Sequence, residues 1–555
     1  MTALPANRVA VAAARSGPPA TLRRIDWRFL LPRPAVGPFQ HLVLLGGSLD
    51  LAELLRRVGL ARQVATALDP KSRTDAVVVL SDATGSLDDA AKALAPGGVL
   101  YCEIDRRRVR QLTPARVRNR LRGAGLRVAA TYWVVPGFDP ALRFIPLDNM
   151  RAARWFLRDV YNRASLGRTA ASHLARAATV FGSAPLATVA RCFSVVAVRE
   201  VAAGSHDPDV RPIDLAVPHV PPGSSVALVT SGQDDGSRVV ILPFERAHAT
   251  PAFAVKIPRH ARYNDRTIGE HETLVALQKL VGEPLTSSLP RPLTLGMAGG
   301  IAVASETCAT GPTLLVSSGR RFASVRRRVS DLKRTADWLA AFNQASRVGT
   351  IDWSEAGRRQ WLERPLYSFR QAFGSYAHRD RLWATLQAAA VRCDGVSVPI
   401  VFQHNDLGPW NVHRQGRHVT VIDWEVEGGS PFSRRGLPLM DLIYFATHWL
   451  YTALRARTPE AQLEVFSEFV SGRRGNACVR AAWATLEAHA DRLAIDRQLI
   501  PVIATLTWIE HATDRIYRRR DDLTASPDRV LSQYLRYIDI ISDHREAFFQ
   551  RGDRA

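Results

Sequence analysis

The stretch FQHNDLGPWNVHRQGRHVTVIDWE, residues 402–425, places Asp406 and Asn411 just beyond one apolar run and Asp423 at the end of the next. A surface hairpin has no need of that arrangement. Taken singly, Asp and Asn read equally well as turn-formers, because their short side chains bond the nearby backbone. His404 alone reads as a packed, hydrogen-bonded histidine. Together the residues form a set suited to phosphoryl transfer, in which positioning and charge stabilisation do most of the chemistry. Asp406 would orient an acceptor hydroxyl. Magnesium takes one or two carboxylates and keeps several waters, which suits Asn411 and Asp423. One loop can carry both Asp406 and Asn411, and the short run HVTVID returns Asp423 beside them.

Such chemistry also needs a cation for the donor phosphates. Lys256 lies inside the strand-like AFAVKIPR, flanked by Val255 and Ile257, where a charge requires a partner. The chain holds 74 Lys and Arg, and only Lys71, Lys92, Lys256, Lys279 and Lys333 are lysines, which leaves 69 Arg. A lysine inside a strand of so Arg-biased a chain is informative, since a compact ammonium suits a phosphate point contact. Glu270 lies in the amphipathic run RTIGEHETLVALQKLVG, with Leu274 and Leu277 at core spacing, and is the expected ion-pair partner. Before these, SSVALVTSGQDDGSRVVILPF reads as strand, polar glycine turn and strand. Ser231, Gly232 and Gly236 of that turn are candidate donor contacts, although its two aspartates would repel phosphate.

These segments resemble the aminoglycoside phosphotransferase and choline kinase-like enzymes, relatives of the protein kinases. HNDLGPWNV is similar to their His-x-Asp-x-x-x-x-Asn loop, and VIDWE to their metal-binding Asp segment. The resemblance implies an α+β protein-kinase-like bilobal fold and ATP- and Mg²⁺-dependent transfer to a hydroxyl of a small polar acceptor, such as a sugar or amino sugar. It implies Asp406 as catalytic base, Asn411 and Asp423 as metal ligands, and Lys256 with Glu270 gripping the nucleotide phosphates. IAVASETCATGPTL is similar to the family hinge, with Glu306 leading in as a nucleotide-side residue and Gly311 opening the larger lobe. Asp441, in GLPLMDLIYF, takes the place of a structural aspartate. Asn405 stands where glycine is frequent, and Asn343 where relatives often carry His.

The first part of the chain has a different texture. HLVLLGG, TDAVVVLSDA and GGVLYCEID are strand-like and alternate with helical runs, which predicts a mostly parallel wound sheet. The segment from TDAVVVLSDA to LYCEI resembles class I methyltransferases, implying a Rossmann-like, methyltransferase-type α/β domain. The cofactor-binding pattern is poor: only Gly46 and Gly47 follow the first strand, with no acidic residue before them. Asp69 could reach a ribose of S-adenosylmethionine or serve as a turn residue. The expected organisation is a disordered tail over 1–24, the α/β domain over 25–200 and a Pro-rich linker over 201–223. A smaller lobe over 224–310 and a helical lobe over 311–555 follow. Two rival functions are a non-catalytic nucleotide-binding scaffold and a methyltransferase acting through the first domain.

Composition bounds the rest. A chain of 555 residues with 46% hydrophobic and 23% charged residues is ordinary globular material of several domains. No apolar run reaches the roughly 20 residues that span a bilayer, and the apolar core of RVAVAAARSG is too short for a signal sequence. Five cysteines without a CxxC pair exclude a zinc ribbon and fit a reducing, cytoplasmic setting. The net charge of +22 comes from dispersed arginines without aromatic interleaving, so nucleic-acid binding is not expected.

Overall fold

The computed structural model describes residues 21–161 (without 33–37, 85, 110 and 140), 173–177, 179–181, 186, 190–200 and 224–551 (without 231, 233, 378, 425–434, 473–474 and 520–527). The expected linker over 201–223 and most of the expected tail, 1–20, lie outside the described residues, as does Ser231.

Alternating apolar runs produce twelve strands that join in one sheet. In chain order they are β1 (Phe39–Leu45), β2 (Ala61–Ala65), β3 (Thr74–Val79), β4 (Leu94–Asp105), β5 (Leu126–Val135), β6 (Arg143–Pro146) and β7 (Cys192–Arg199). There follow β8 (Ser225–Val229), β9 (Arg238–Phe244), β10 (Ala254–Pro258), β11 (Pro292–Ala298) and β12 (Ile301–Glu306). Across the sheet they run β2-β1-β3-β4-β7-β5-β6-β8-β9-β10-β12-β11. The first four are parallel: β1, β3 and β4 are largely buried apolar strands of the kind parallel sheets use, and β2 is the exposed edge. From β7 onward every pairing is antiparallel.

The α/β part and the smaller lobe, separated in the sequence by 201–223, therefore meet edge to edge. Arg143 pairs with Val229 and Phe144 with Leu228. Both faces of the sheet are covered continuously across this join. On one face Trp27, Leu44, Tyr101 and Phe144 pack in the same core as Leu228, Ile241 and Val255. On the other, Val77, Leu100 and Phe193 share a core with Ala227, Leu242 and Phe244. The shared apolar faces set the arrangement.

Residues 22–24, counted above with a disordered tail, are ordered. LRRIDWRFL forms a 3-10 helix, Leu22–Leu30, with Leu22, Ile25, Trp27 and Leu30 buried. Trp27 stacks on Tyr101 with ring centroids 4.6 Å apart, and Arg24 makes a bidentate pair with buried Glu103 at 2.7 and 2.8 Å. Five apolar residues in nine give this short segment enough burial to hold it against the sheet.

The helical lobe has its own core, in which Trp338, Phe342, Trp424, Trp449 and Trp508 are buried. Its principal helices are Val325–Ala345, Leu439–Leu454, Leu499–Arg519 and Arg529–Asp543. Gly311 enters it at φ +78°, and a Cβ there would meet the Arg414 carbonyl oxygen at 2.4 Å, so only glycine fits.

Candidate active site

Register and the helix after β10 decide where Lys256 points. Lys256 pairs with Val240 of β9 and Ala304 of β12 in the middle of the smaller lobe's sheet. Its ammonium lies 2.5 Å from Glu270 Oε1, on the helix Asn264–Leu280, and 2.9 Å from Glu306 Oε1 at the end of β12. It lies 3.9 Å from Asp423 Oδ1. Burial alone would neutralise the amine, but Glu270, Glu306 and Asp423 outweigh it and hold Lys256 protonated well above its ordinary range. Burial pushes the Glu306 carboxyl up to about 7 against the pull of Lys256. Glu306, taken from the sequence as a residue leading into the hinge, therefore also serves as a second counter-ion of the lysine.

Sequence reasoning missed Arg238. It opens β9 directly after the glycine turn and shares a sheet face with Val240, two residues on, which is the face of Lys256. Its guanidinium bridges Glu270 and Asp423 in a buried setting. The alternation of strand residues was the available signal, hidden among so many arginines.

The quoted loop folds as a tight cluster. Asn405 takes φ +63° and Asp423 φ +70°, the left-handed region that Asn and Asp tolerate better than other non-glycine residues. That explains why Asn405 can replace a glycine. Asp441 accepts from the amides of His404 and Asn405 at 2.7 and 2.8 Å, pinning the loop to the helix Leu439–Leu454. The His404 ring packs on Trp424 at 4.6 Å and meets the Ile422 carbonyl at 2.9 Å, so this histidine joins the two halves of the stretch.

Asp406 is reached by three donors. Tyr444 donates its hydroxyl to Oδ1 at 3.0 Å, while Asn411 Nδ2 and Trp410 Nε1 donate to Oδ2 at 3.0 and 3.3 Å. Burial and the neighbouring Asp406 push the Tyr444 hydroxyl well above its usual range, so it remains a donor. The Tyr444 ring stacks on His511 of the helix Leu499–Arg519 at 4.4 Å. Trp410, Tyr444 and His511 were not singled out in the sequence: Trp410 lies in the loop itself, and only the fold brings the helices of Tyr444 and His511 to it.

The donor set fits a magnesium half-site. Asn411 spends its amide nitrogen on Asp406, at the backbone carbonyl (2.9 Å) and Oδ2, so any metal contact falls to its oxygen. The Asp423 carboxylate is 31% exposed, more open than Glu270 and Glu306. Among the described residues no group of three or more His, Cys, Asp or Glu could hold a metal. Arg238 would have to give up Asp423 for a metal to bind there.

The two glycines of the turn are closely packed. A Cβ on Gly232 would lie 2.2 Å from Ser237 Cβ, and one on Gly236 would lie 2.2 Å from Arg266 Nη1. The Asp234 carboxylate, expected to repel phosphate, is instead paired with Arg515 of the helical lobe at 2.5 and 2.7 Å. In the α/β part, Gly46 and Gly47 have positive φ, but Asp82 accepts from the Gly47 amide at 3.1 and 3.2 Å and fills the turn. Asp69 accepts from the Lys71 amide at 2.9 Å, a turn role. No helix among the described residues is long and apolar enough to cross a membrane.

Residues 243–481 match the model of a phosphotransferase enzyme family (APH). No curated protein matches the sequence. Among solved structures, a glucosamine kinase (crystal form A) is similar at 14% identity and TM-score 0.31, covering 60% of this chain and 76% of its own. Over residues 243–481 the chain is thus similar to the phosphotransferase enzyme family.

Proposed function

We propose that this chain is an ATP- and Mg²⁺-dependent phosphotransferase that phosphorylates a hydroxyl of a small polar acceptor, such as a sugar or amino sugar. The observation that carries the reading is the approach of Lys256 and Glu270 on the smaller lobe to Asp423 of the larger one, whose neighbour Ile422 donates its amide to the carbonyl of Asn411 beside Asp406. Lys256 would meet the donor phosphates. Asn411 and Asp423 would hold the magnesium ion, which when bound neutralises charge on the transferring group. Asp406, oriented by Tyr444, Asn411 and Trp410, would align the acceptor hydroxyl and take its proton. Glu510, His511 and Asp514 lie together on the helix that stacks against Tyr444, which supports a polar acceptor. Replacing Asp406 by Ala should abolish turnover in an ATP-consumption screen against a panel of sugars while ATP still binds; turnover at the wild-type rate refutes the assignment.

The contact of Arg238 with Asp423 favours a second reading, a nucleotide-binding scaffold without catalysis. Absence of turnover with every acceptor, together with retained Mg-ATP binding, would select it.

The α/β part is a degenerate Rossmann-like, methyltransferase-type domain in this reading, supported by the strand order β2-β1-β3-β4-β7-β5 with β7 antiparallel. Gly47 and Asp69 are engaged by the chain's own groups, so the residues present do not fit S-adenosylmethionine. Calorimetry of the full chain with S-adenosylmethionine should show no binding; a micromolar dissociation constant would restore the methyltransferase reading. All five cysteines are free thiols, which supports a cytoplasmic location.

A further inference from the structure

We infer that Asp26 and Arg259 are positioning residues for the donor nucleotide, through which the N-terminal α/β part holds the glycine turn in its binding shape; this rests on the phosphotransferase reading, in which that turn covers the donor phosphates. Arg259 follows β10 and its side chain is 0% exposed, against 1% for Asp26. Its Nε donates to both Asp26 carboxylate oxygens at 3.1 and 3.0 Å, and Nη2 donates to Oδ2 at 2.8 Å. The same guanidinium reaches the turn: Nη2 donates to the Gly232 carbonyl at 2.9 Å and Nη1 to the Asp234 carbonyl at 2.6 Å. Arg28 donates to the Arg259 carbonyl and, at 3.0 Å, to that of Ile25, tying the strand end to the 3-10 helix.

A buried ion pair is weak evidence for stability, because desolvation offsets its attraction and an apolar pair of equal volume does as well. What a guanidinium adds is a rigid planar fork. Here one prong set is spent on Asp26 and the other on two carbonyls of one turn. In a trans peptide the carbonyl and the next amide point opposite ways, so fixing the Asp234 carbonyl toward Arg259 turns the Asp235 amide to the other side. The Ser237 amide also donates to the Asp234 carbonyl, at 3.0 Å, closing the turn. From the far side the Asp234 carboxylate is held by Arg515. A turn containing two glycines is costly to order, and one ordered beforehand loses less freedom when a ligand binds. The N-terminal part supplies this order from outside the family segment, since Asp26 lies far upstream of residue 243.

The test is calorimetric titration of the full chain with Mg-ATP, alongside KM for ATP and for an acceptor found in the sugar panel. The Asp26→Asn/Arg259→Gln double variant removes both charges of the pair, while Arg28, 3.4 Å from Asp26, keeps its bonds to the Ile25 and Arg259 carbonyls. The Arg24→Gln/Glu103→Gln double variant removes another buried pair of the same part, one that does not touch the turn. The first should weaken Mg-ATP affinity at least tenfold and raise the KM for ATP, with acceptor KM within twofold; the second should leave affinity within twofold. If the first double variant does not fold, Arg259→Lys takes its place with the same expectation, since an ammonium lacks the fork to hold Asp26 and both carbonyls. Equal losses in the two double variants, or unchanged affinity in the first, overturn the inference alone. Failure of the unmodified chain to bind Mg-ATP overturns the phosphotransferase reading and the inference with it.

Discussion

Replacing Tyr444 by Phe removes one oxygen and tests how Asp406 is aimed. The hydroxyl donates to Asp406 Oδ1 at 3.0 Å and meets the Tyr534 hydroxyl at 3.2 Å. The ring would remain, with its stacking on His511 at 4.4 Å and its contact with His448 at 4.3 Å. Asn411 and Trp410 would still fix Oδ2, so the carboxylate would keep its place but gain freedom about one axis. A hydrogen bond to a charged group contributes about 1.5–3 kcal/mol. If that is exerted in the transition state, kcat falls about 10- to 150-fold. Tyr534→Phe, which removes only the outer hydroxyl, should cost about threefold or less, because it leaves the bond to Asp406 intact. Steady-state release of ADP with the acceptor from the sugar panel measures both, and KM for ATP should stay within twofold. A Tyr444→Phe enzyme with unchanged kcat, or a loss confined to KM for ATP, would remove Asp406 from the acceptor side.

Lys256→Met strips the shared cation from Glu270 and Glu306 and should cost about 3–5 kcal/mol in urea denaturation, since it takes the ammonium from buried Glu306 and leaves Glu270 to Arg238. Mg-ATP binding should disappear in the same variant; retention of both properties would contradict the ion-pair cluster. Arg515→Ala leaves Asp234 facing incoming phosphates and should weaken Mg-ATP binding about two- to fivefold, from about 0.5–1 kcal/mol for a partly exposed pair, an effect that fades at high salt. His489 is buried, and burial lowers its pKa from 6.5 to about 4. The neutral ring is then favoured by folding, so its contribution is complete above pH 6.5 and is lost as pH falls through about 4. That contribution is on the order of 3 kcal/mol, and His489→Gln should flatten the acid limb of the stability profile.

How much of this was legible follows from how local each signal is. Asp406, Asn411 and Asp423 lie within one short stretch, and Lys256 is conspicuous because lysine is rare in this chain, so the residues at the heart of the candidate site could be picked out directly. Arg238 could not, since strand alternation marks it only once the pairing of Val240 with Lys256 is known. Tyr444 and Arg515 lie on helices whose approach to Asp406 and Asp234 is decided by packing in the helical lobe. The α/β texture of the first part was plain, but its parallel character stops at β4. The join to the smaller lobe rests on RFIP and SVALV, runs too short to announce a partner. The segment LRRIDWRFL was partly assigned to a tail because a three-residue turn blurs the helical period.

The shared sheet bears on any attempt to excise the part that matches the family. The family segment begins at residue 243, inside β9, so a fragment cut there would discard β8 and most of β9 and leave β10 with a raw margin of unanswered amides and carbonyls. Starting upstream of Ser225 would restore β8 and β9, yet the side of β8 that met β6 would then lie open. Such margins recruit other chains. An isolated kinase-like fragment would therefore be prone to clump in the test tube, for want of the neighbour that nature stitched to it.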